Sequence, residues 1–472
     1  MRRGLAYVSL PAPLFGSVAG VMLAGILPLS FVLATPSGGH ASWVGALLVA
    51  ILSGLRFGWL MLVGLRYLFE MVFWLFVYVF FGLAPIVQLR TEADPGTTPG
   101  LDHSKDWVAF LVVSFGCLAF LLGTLLPLAR SNADAPLIRE VSKGKVHALT
   151  FVAGIGALCY ISLVGIGPLF SSRDSLAQAQ SVFGESTTSS VVVAAVNMAT
   201  FVAAAGQLLF LRQERAAHRA VSYVPAILSV MICVICVNPI SSARYVVGTI
   251  LLGLLAATGA TESLRRFRWF SLSAIAGLVF IFPIADFFRH ATTTAPVSNV
   301  LTSLKGGDFD AFGQVVNTVA YVDAFGTTNG NQALGVLLFW VPRSVWVSKP
   351  VDTGTLVANY KNYDFTNLSA PLWSELFING GWVALVLGMA VLGVLLRRLD
   401  SNANARLMSG LPSTVIGSVL PFYFLILCRG SLLQAMANLA AMLVFAAFIS
   451  RRKVSPGAGV RSSRLDQRSM PL

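Results

Sequence analysis

The feature that most constrains this chain is a recurrence: stretches of about 20 apolar residues return from one end of it to the other, and that is the length an α-helix needs to cross the hydrocarbon of a bilayer. Inside a bilayer no water is available to satisfy exposed backbone N–H and C=O groups, so such runs must be helical. They occupy residues 14–34, 41–60, 67–88, 107–128, 146–169, 190–211, 221–238, 245–260, 269–287, 380–396, 410–428 and 431–450. The pattern predicts an all-α polytopic membrane protein with about 12 transmembrane helices. The second run is the weakest, because Arg56 interrupts it and the stretch up to Arg66 could lie on the surface or re-enter. Composition agrees: 56% of the 472 residues are apolar, 11% are charged, and the mean hydropathy is +0.77, which excludes a soluble globular chain.

A formal charge of +13 has the sign a nucleic-acid binder needs, but the basic residues punctuate apolar runs instead of covering a soluble face, so no nucleic-acid partner is expected. Alternate connections are the basic ones. One set holds Arg2 and Arg3, Arg56 and Arg66, Arg130 to Lys145, Arg212 to Arg219, Arg265 to Arg268, Arg397 to Arg406 and the tail from Arg451; the other holds Glu92, Asp94, Asp102, Asp106, Asp174 and Glu185. By the positive-inside rule both termini are cytoplasmic. The run at 14–33 reaches no small-residue cleavage site and is read as a retained first helix, not a signal peptide. All five cysteines fall in or beside apolar runs, so Cys233 and Cys236 are read as packing and no disulfide framework is expected.

The expected organisation is residues 1–287 carrying spans 1 to 9, residues 288–379 forming a large extracytoplasmic loop, residues 380–450 carrying spans 10 to 12, and a disordered basic tail over 451–472. Within the loop, Phe309, Phe312, Val316, Val319 and Ala320 recur at helical spacing and predict an amphipathic helix near 309–326. Leu334 to Val341 is too short to span and is capped by Pro342, with Trp340 and Trp346 expected at headgroup depth.

On the outer side, Arg173, Arg244, Arg289, Arg343 and Arg429 each stand at a span end or beside a short apolar segment. The runs flanking Arg244 are both short, which sets its turn at or below the headgroups, and Arg429 lies at the tip of a hairpin. Snorkelling to lipid phosphates is the plain explanation of such residues. A charge at that depth is costly, however, and should face a cavity or an anion. Arginine's planar fork suits bidentate phosphate contacts, which points to a lipid pyrophosphate. Glu375, shortly before the tenth run, is a carboxylate that could act as a base or simply begin a helix. His290 beside Arg289 is a second base candidate, although a lone histidine at an interface is more often structural. Glu70, inside the third run, should pair with a neighbouring helix. Asp308-Phe309-Asp310 resembles the acidic pair that holds metal and nucleotide in soluble sugar transferases, but it sits on the wrong side of the membrane and outside any nucleotide-binding fold, and it is set aside. No Walker loop, metal-ligand cluster or nucleophile elbow is present in the sequence, so no cofactor is expected.

The string Phe339-Trp340-Val341-Pro342-Arg343-Ser344-Val345-Trp346-Val347-Ser348-Lys349-Pro350 resembles the outer-loop signature of the Wzy-like O-antigen polymerases, the oligosaccharide repeat-unit polymerases. Asn238-Pro239 with Arg244-Tyr245, Glu375 followed by Asn379-Gly380-Gly381, and Arg429-Gly430-Ser431-Leu432-Leu433 add to the likeness. The resemblance implies a GT-C-like, metal-independent glycosyltransferase of the bacterial cytoplasmic (inner) membrane. Its donors would be undecaprenyl-pyrophosphate-linked glycans, and a polysaccharide chain-length regulator is a further partner it suggests. On that reading Arg244, Arg343 and Arg429, with Arg173, Arg289, Lys349 and Tyr245, contact the pyrophosphate or substrate, and Glu375 or His290 is the base. The neighbouring reading is an O-antigen ligase, which shares donor and architecture. A lipid-linked glycan flippase or exporter would also use arginines, but it should place polar residues through the mid-membrane path.

Overall fold

The structure, a computed structural model, describes residues 12–127, 138–184, 186–282 and 300–453. Its principal helices in chain order are α1 (Leu14–Ala34), α2 (Trp43–Val63), α3 (Leu68–Arg90), α4 (His103–Leu125), α5 (Lys143–Val164), α6 (Ser186–Ala216), α7 (Val224–Cys236), α8 (Arg244–Ala257), α9 (Leu264–Ala276), α10 (Ala311–Phe325), α11 (Asn331–Leu337), α12 (Thr353–Lys361), α13 (Leu372–Met408), α14 (Val415–Arg429) and α15 (Leu432–Ile449). Eight of them (α1 to α6, α13 and α15) are long and apolar enough to cross a membrane, and α7, α8 and α14 are shorter apolar helices. The protein is thus an all-α, multi-pass membrane protein, with one small ribbon in which β1 (Ile138–Val141) pairs antiparallel with β2 (Ser450–Lys453). The ninth expected span begins in α9 and a π turn at Gly277–Ile281, and its end lies outside the described residues, as does the tail beyond Lys453. The doubtful second span is one continuous helix, with Arg56 in its second half.

Two large apolar cores meet at α14. The first is built mainly from α1 to α4 with α9, α10 and α13 as far as Leu396; the second mainly from α5 to α8 with α15. Helix α14 contributes Phe422, Phe424 and Cys428 to the first core and Val419, Tyr423 and Ile426 to the second. Helix α3 is the axis of the first core and is buried along its whole span, whereas α1, equally apolar, is mostly uncovered. Helices α4 and α13 approach closely because Gly123 lies against the Ala390 carbonyl and Gly393 against the Phe120 carbonyl, where a β-carbon would collide. Small residues of this kind supply contact where no hydrophobic drive separates helix from lipid.

Connections sort to two ends. At the basic end Arg212 pairs with Glu262, Arg66 donates to the Glu262 carbonyl, Arg406 donates to Arg139 and Pro412 carbonyls, and the β ribbon closes. Glu70 is buried there between Arg56 (Nε, 2.8 Å) and Arg397 (Nη1, 2.9 Å), the interhelical pairing expected of it. The Asp400 carboxylate accepts the N–H groups of Phe69 (3.0 Å) and Glu70 (2.9 Å), capping the start of α3. At the opposite end the 91–105 segment meets the long loop: Lys105 pairs with Asp323, and Lys361 donates to the Gly100 carbonyl.

The loop helix foreseen near 309–326 is α10, but it is not amphipathic in use. Ala311 to Ala320 are all buried, on every face, including Gln314, Asn317 and Thr318. The apolar spacing located the helix; the cover came from α4, α12 and α13, which periodicity cannot foresee. The short apolar segment ends as α11 at Leu337, with Leu337, Trp340, Val345 and Val347 exposed beyond and beside it. Helix α13 bends sharply at Gly380 and Gly381; the latter has φ +60°, a conformation open to glycine at no steric cost. The bend releases the carbonyls of Ile378 and Asn379, which accept the N–H groups of Thr328 (2.8 Å) and Gly330 (3.0 Å). It thereby ties the segment of α13 before the bend to the loop.

Candidate functional site: an arginine-aspartate cavity opposite the basic end

Helix α7 has 13 residues and rises about 20 Å, well short of the hydrocarbon thickness, and a tight turn joins it to α8. That turn is held by Asn238. Its Oδ1 accepts the N–H groups of Ile240 (3.0 Å) and Ser241 (3.2 Å), its Nδ2 donates to the Leu169 carbonyl (2.8 Å), and Ser241 Oγ donates to the same carbonyl (2.7 Å). Arg244 then opens α8, at the end where the helix dipole disfavours a cation; Arg429 closes α14, at the end where the dipole favours one. Arg244 therefore occupies its position against local helix electrostatics, which fits a residue kept for something it faces.

Both arginines face the Gly307–Phe309 turn. Arg244 Nη1 lies 3.2 Å from Asp308 Oδ2, with its guanidinium over the Phe282 ring at 5.7 Å. Arg429 Nε donates to the Asp308 carbonyl (3.0 Å) and Nη2 to the Gly307 carbonyl (3.3 Å), while Nη2 also lies 3.8 Å from Asp308 Oδ1 and 3.6 Å from Asp310 Oδ1. Tyr245 packs under the Arg429 guanidinium at 5.5 Å. Phe309, between the two aspartates, is planted in the first core against Phe80 (5.4 Å), and Gln88 Nε2 of α3 donates to its carbonyl (3.0 Å) and to that of Leu304 (2.7 Å). The anchor sends the flanking carboxylates in different directions. Asp310 is buried and accepts from Thr97 Oγ1 (3.0 Å), Ser369 Oγ (2.8 Å) and Gln314 Nε2 (3.3 Å), whereas Asp308 stays about one-third exposed. These groups line a cavity of about 340 Å³ that also receives Asn367, Ser369, Ser431 and Gln434. Among the described residues two guanidiniums and two carboxylates meet there, and an anion entering must compete with Asp308.

Glu375 does not open on this cavity. Its Oε2 accepts from Thr353 Oγ1 (2.7 Å) and its Oε1 from Ser431 Oγ (3.1 Å) and the Leu432 N–H (2.8 Å). The carboxylate thus sits at the N-terminus of α15, where the dipole favours it, and fixes the Arg429-Gly430-Ser431 corner that carries the arginine. Trp373, one turn's reach away on the same segment before the bend, is fully buried among Phe73, Phe76 and Phe81 and donates Nε1 to the Val113 carbonyl (3.1 Å).

Arg343 and Lys349 stand elsewhere, in the wall of a second cavity of about 540 Å³. Arg343 donates to the carbonyls of Lys349 (2.6 Å) and Pro350 (3.0 Å), and Lys349 Nζ to those of Phe339 (2.7 Å) and Val341 (2.8 Å). The two cations staple the 339–350 loop, and burial, followed by the neighbouring Arg343, holds the Lys349 ammonium below its usual pKa. Arg289 and His290 lie outside the described residues. Arg173 begins a short helix, Arg173–Gln180, and its side chain is likewise outside them.

Of the outer arginines, then, Arg244 and Arg429 come together, with Tyr245, and Arg343 and Lys349 do not join them. Asp308 and Asp310, set aside on sequence as a misplaced metal-and-nucleotide pair, stand at this site as the arginines' counter-charges. The signal available was electrostatic: two arginines at membrane depth call for counter-charge, and the paired acids just ahead of a loop helix were the candidates at hand. Among the described residues no group of three or more His, Cys, Asp or Glu side chains could hold a metal ion. Compared with known proteins, the chain matches no protein-family model, no curated protein and no solved structure.

Proposed function

We propose that this protein is a glycan polymerase of the cytoplasmic membrane, a metal-independent glycosyltransferase that joins oligosaccharide repeat units carried on undecaprenyl pyrophosphate at the outer membrane face. The observation that carries the proposal is the convergence of Arg244 and Arg429 on a polar cavity at the end of the molecule opposite the basic connections. With the basic end cytoplasmic, as the positive-inside rule has it, the cavity lies on the outer side and both termini inside. The likeness of the loop string around Arg343 to the repeat-unit polymerases supports the same reading; on it α7, α8, α9 and α14 also cross, beside the eight long helices, to give twelve spans.

The chemistry follows from the residues. The acceptor hydroxyl attacks the anomeric carbon of the donor glycan, the bond to the pyrophosphate oxygen breaks, and the lipid pyrophosphate leaves with the electron pair. Arg244 and Arg429 stabilise the charge that develops on the leaving oxygen, an effect of about 3–4 kcal/mol per well-placed donor. As Arg244 turns from Asp308 to the phosphate, the Asp308 carboxylate is released to take the proton of the attacking hydroxyl, a general-base role within a cavity it already faces. Glu375 positions Arg429 through the α14–α15 corner. The test is reconstitution in lipid vesicles with lipid-linked repeat units from the host: a ladder of longer glycans with release of lipid pyrophosphate is expected, and transfer of the glycan across the bilayer without lengthening would sink the proposal in favour of a flippase.

A further inference from the structure

The second cavity abuts the first. Asn367 and Gln434 line both, and Gln434 Nε2 donates to Asn367 Oδ1 at 3.2 Å, so a single amide pair belongs to the two walls. The second cavity is larger, about 540 Å³ against about 340 Å³, and its electrostatic character differs. In the first, guanidiniums point at side-chain carboxylates that a ligand can displace. In the second, every charge named so far is committed to the fold. Arg343 and Lys349 hold four main-chain carbonyls between them, and the Asp352 carboxylate caps α12 by accepting the Thr355 N–H (3.1 Å) and Thr355 Oγ1 (2.8 Å). What this leaves facing the space is the amides of Asn367 and Gln434, the hydroxyls of Ser190 and Thr355, the ring of Phe339 and the aliphatic side chains of Val191, Val351, Leu433 and Ala437. Such a lining suits a neutral, hydroxyl-rich molecule: amides donate to and accept from hydroxyl pairs, the ring and the aliphatic side chains cover C–H faces, and among the described residues the two cations already spend their donors on main-chain carbonyls.

We infer that the second cavity is a carbohydrate subsite that holds the acceptor glycan, and that the Gln434–Asn367 pair is the boundary across which its attacking hydroxyl reaches Asp308. This rests on the polymerase reading for the identity of the reaction, but the binding claim can be tested without any reaction. Val191, on the outer end of α6, is exposed and lines only the second of the two cavities, so Val191→Trp fills that space without touching the first.

Two probes would be titrated against the full-length protein in nanodiscs: inorganic pyrophosphate, followed by calorimetry, and the neutral oligosaccharide released by mild acid from the host's lipid-linked pool, followed by saturation-transfer NMR. The native protein should bind both, neither displacing the other. Val191→Trp should weaken oligosaccharide binding at least tenfold and leave pyrophosphate binding unchanged, and Gln434→Ala should weaken oligosaccharide binding with a smaller effect. Oligosaccharide binding that survives Val191→Trp, or that pyrophosphate displaces competitively, overturns the subsite. Loss of pyrophosphate binding in the native protein with the oligosaccharide still bound and still sensitive to Val191→Trp would instead remove the polymerase chemistry and leave the carbohydrate subsite standing. Failure of the native protein to bind either probe would overturn both.

Discussion

Replacing Asp308 by asparagine should separate binding from turnover, because the carboxylate stands where an incoming phosphate has to be. It lies 3.2 Å from Arg244 and 3.8 Å from Arg429, so a phosphate oxygen contacting those same nitrogens would approach Asp308 to about 5 Å. Two unit charges at that separation repel by ~0.8 kcal/mol at a dielectric of 80 and by ~3.3 kcal/mol at 20. Asp308 is 35% exposed, which favours the screened end, and about 1–2 kcal/mol is the working value. Asparagine removes the charge at nearly constant volume and keeps an oxygen for Arg244. Inorganic pyrophosphate should therefore bind Asp308→Asn about 5–30 times more tightly, measured by calorimetry on protein in nanodiscs at low salt. The same variant should form glycan polymer ~100-fold more slowly or worse, since a positioned base commonly contributes 10²–10⁴-fold. Weaker pyrophosphate binding would refute the reasoning: Asp308 would then be orienting the arginines rather than competing with the ligand. Unimpaired polymer formation would remove its role as base.

Other substitutions probe different layers. Arg244→Lys keeps the charge and loses the planar fork, so polymer formation should fall by about 2–4 kcal/mol in the barrier while expression and thermal unfolding stay near wild type; an active Arg244→Lys would return the residue to snorkelling. Glu375→Ala leaves Thr353, Ser431 and the Leu432 N–H without their acceptor and should cost about 2–4 kcal/mol in unfolding, whereas Glu375→Gln should keep most of the stability and, if Glu375 only positions Arg429, most of the activity. Arg397→Met strips buried Glu70 of one of its two guanidiniums and should destabilise by about 3–5 kcal/mol, with Glu70→Leu in the same chain restoring much of it; a purely additive double mutant would argue against the pairing. Gly393→Val drives a side chain into the Phe120 carbonyl and should lower the unfolding temperature through about 1–3 kcal/mol of overpacking, without changing pyrophosphate affinity.

Much of the architecture was legible because transmembrane spans write themselves in composition. Every expected run that falls within the described residues coincides with a helix, and Arg244 and Arg429 already stood out as charges at the wrong depth. Which helix would be surrounded was not legible. Leu68–Arg90 and Leu14–Ala34 have the same hydropathy, 2.1, yet one is wholly covered and the other largely bare, since lipid and protein interior make the same demand on a side chain. The long loop was harder still. Arg343 and Lys349 sit in a string rich in aromatics and look like ligand contacts, but both donate their hydrogen bonds to the loop's own carbonyls. Asp308 and Asp310 lie about 64 and 119 positions from the two arginines they meet, a separation at which sequence carries no local signal and only the packing of Phe309 decides the outcome.

The buried course of α3 has a consequence for how the site responds to its surroundings. Helices that touch acyl chains tilt or shift when the bilayer thickens or thins, at a cost of fractions of a kcal/mol for each ångström of mismatch. Helix α3 has no such contact along its span, and through Gln88 and Phe80 it fixes the height of the turn that bears Asp308. Arg244, by contrast, rides on a 14-residue helix whose outward side chains, Leu251 and Leu255, are open to lipid. The 3.2 Å gap between the two is thus a distance between an internally referenced carboxylate and a membrane-referenced cation, and bilayers of different chain length should tune it like a calliper.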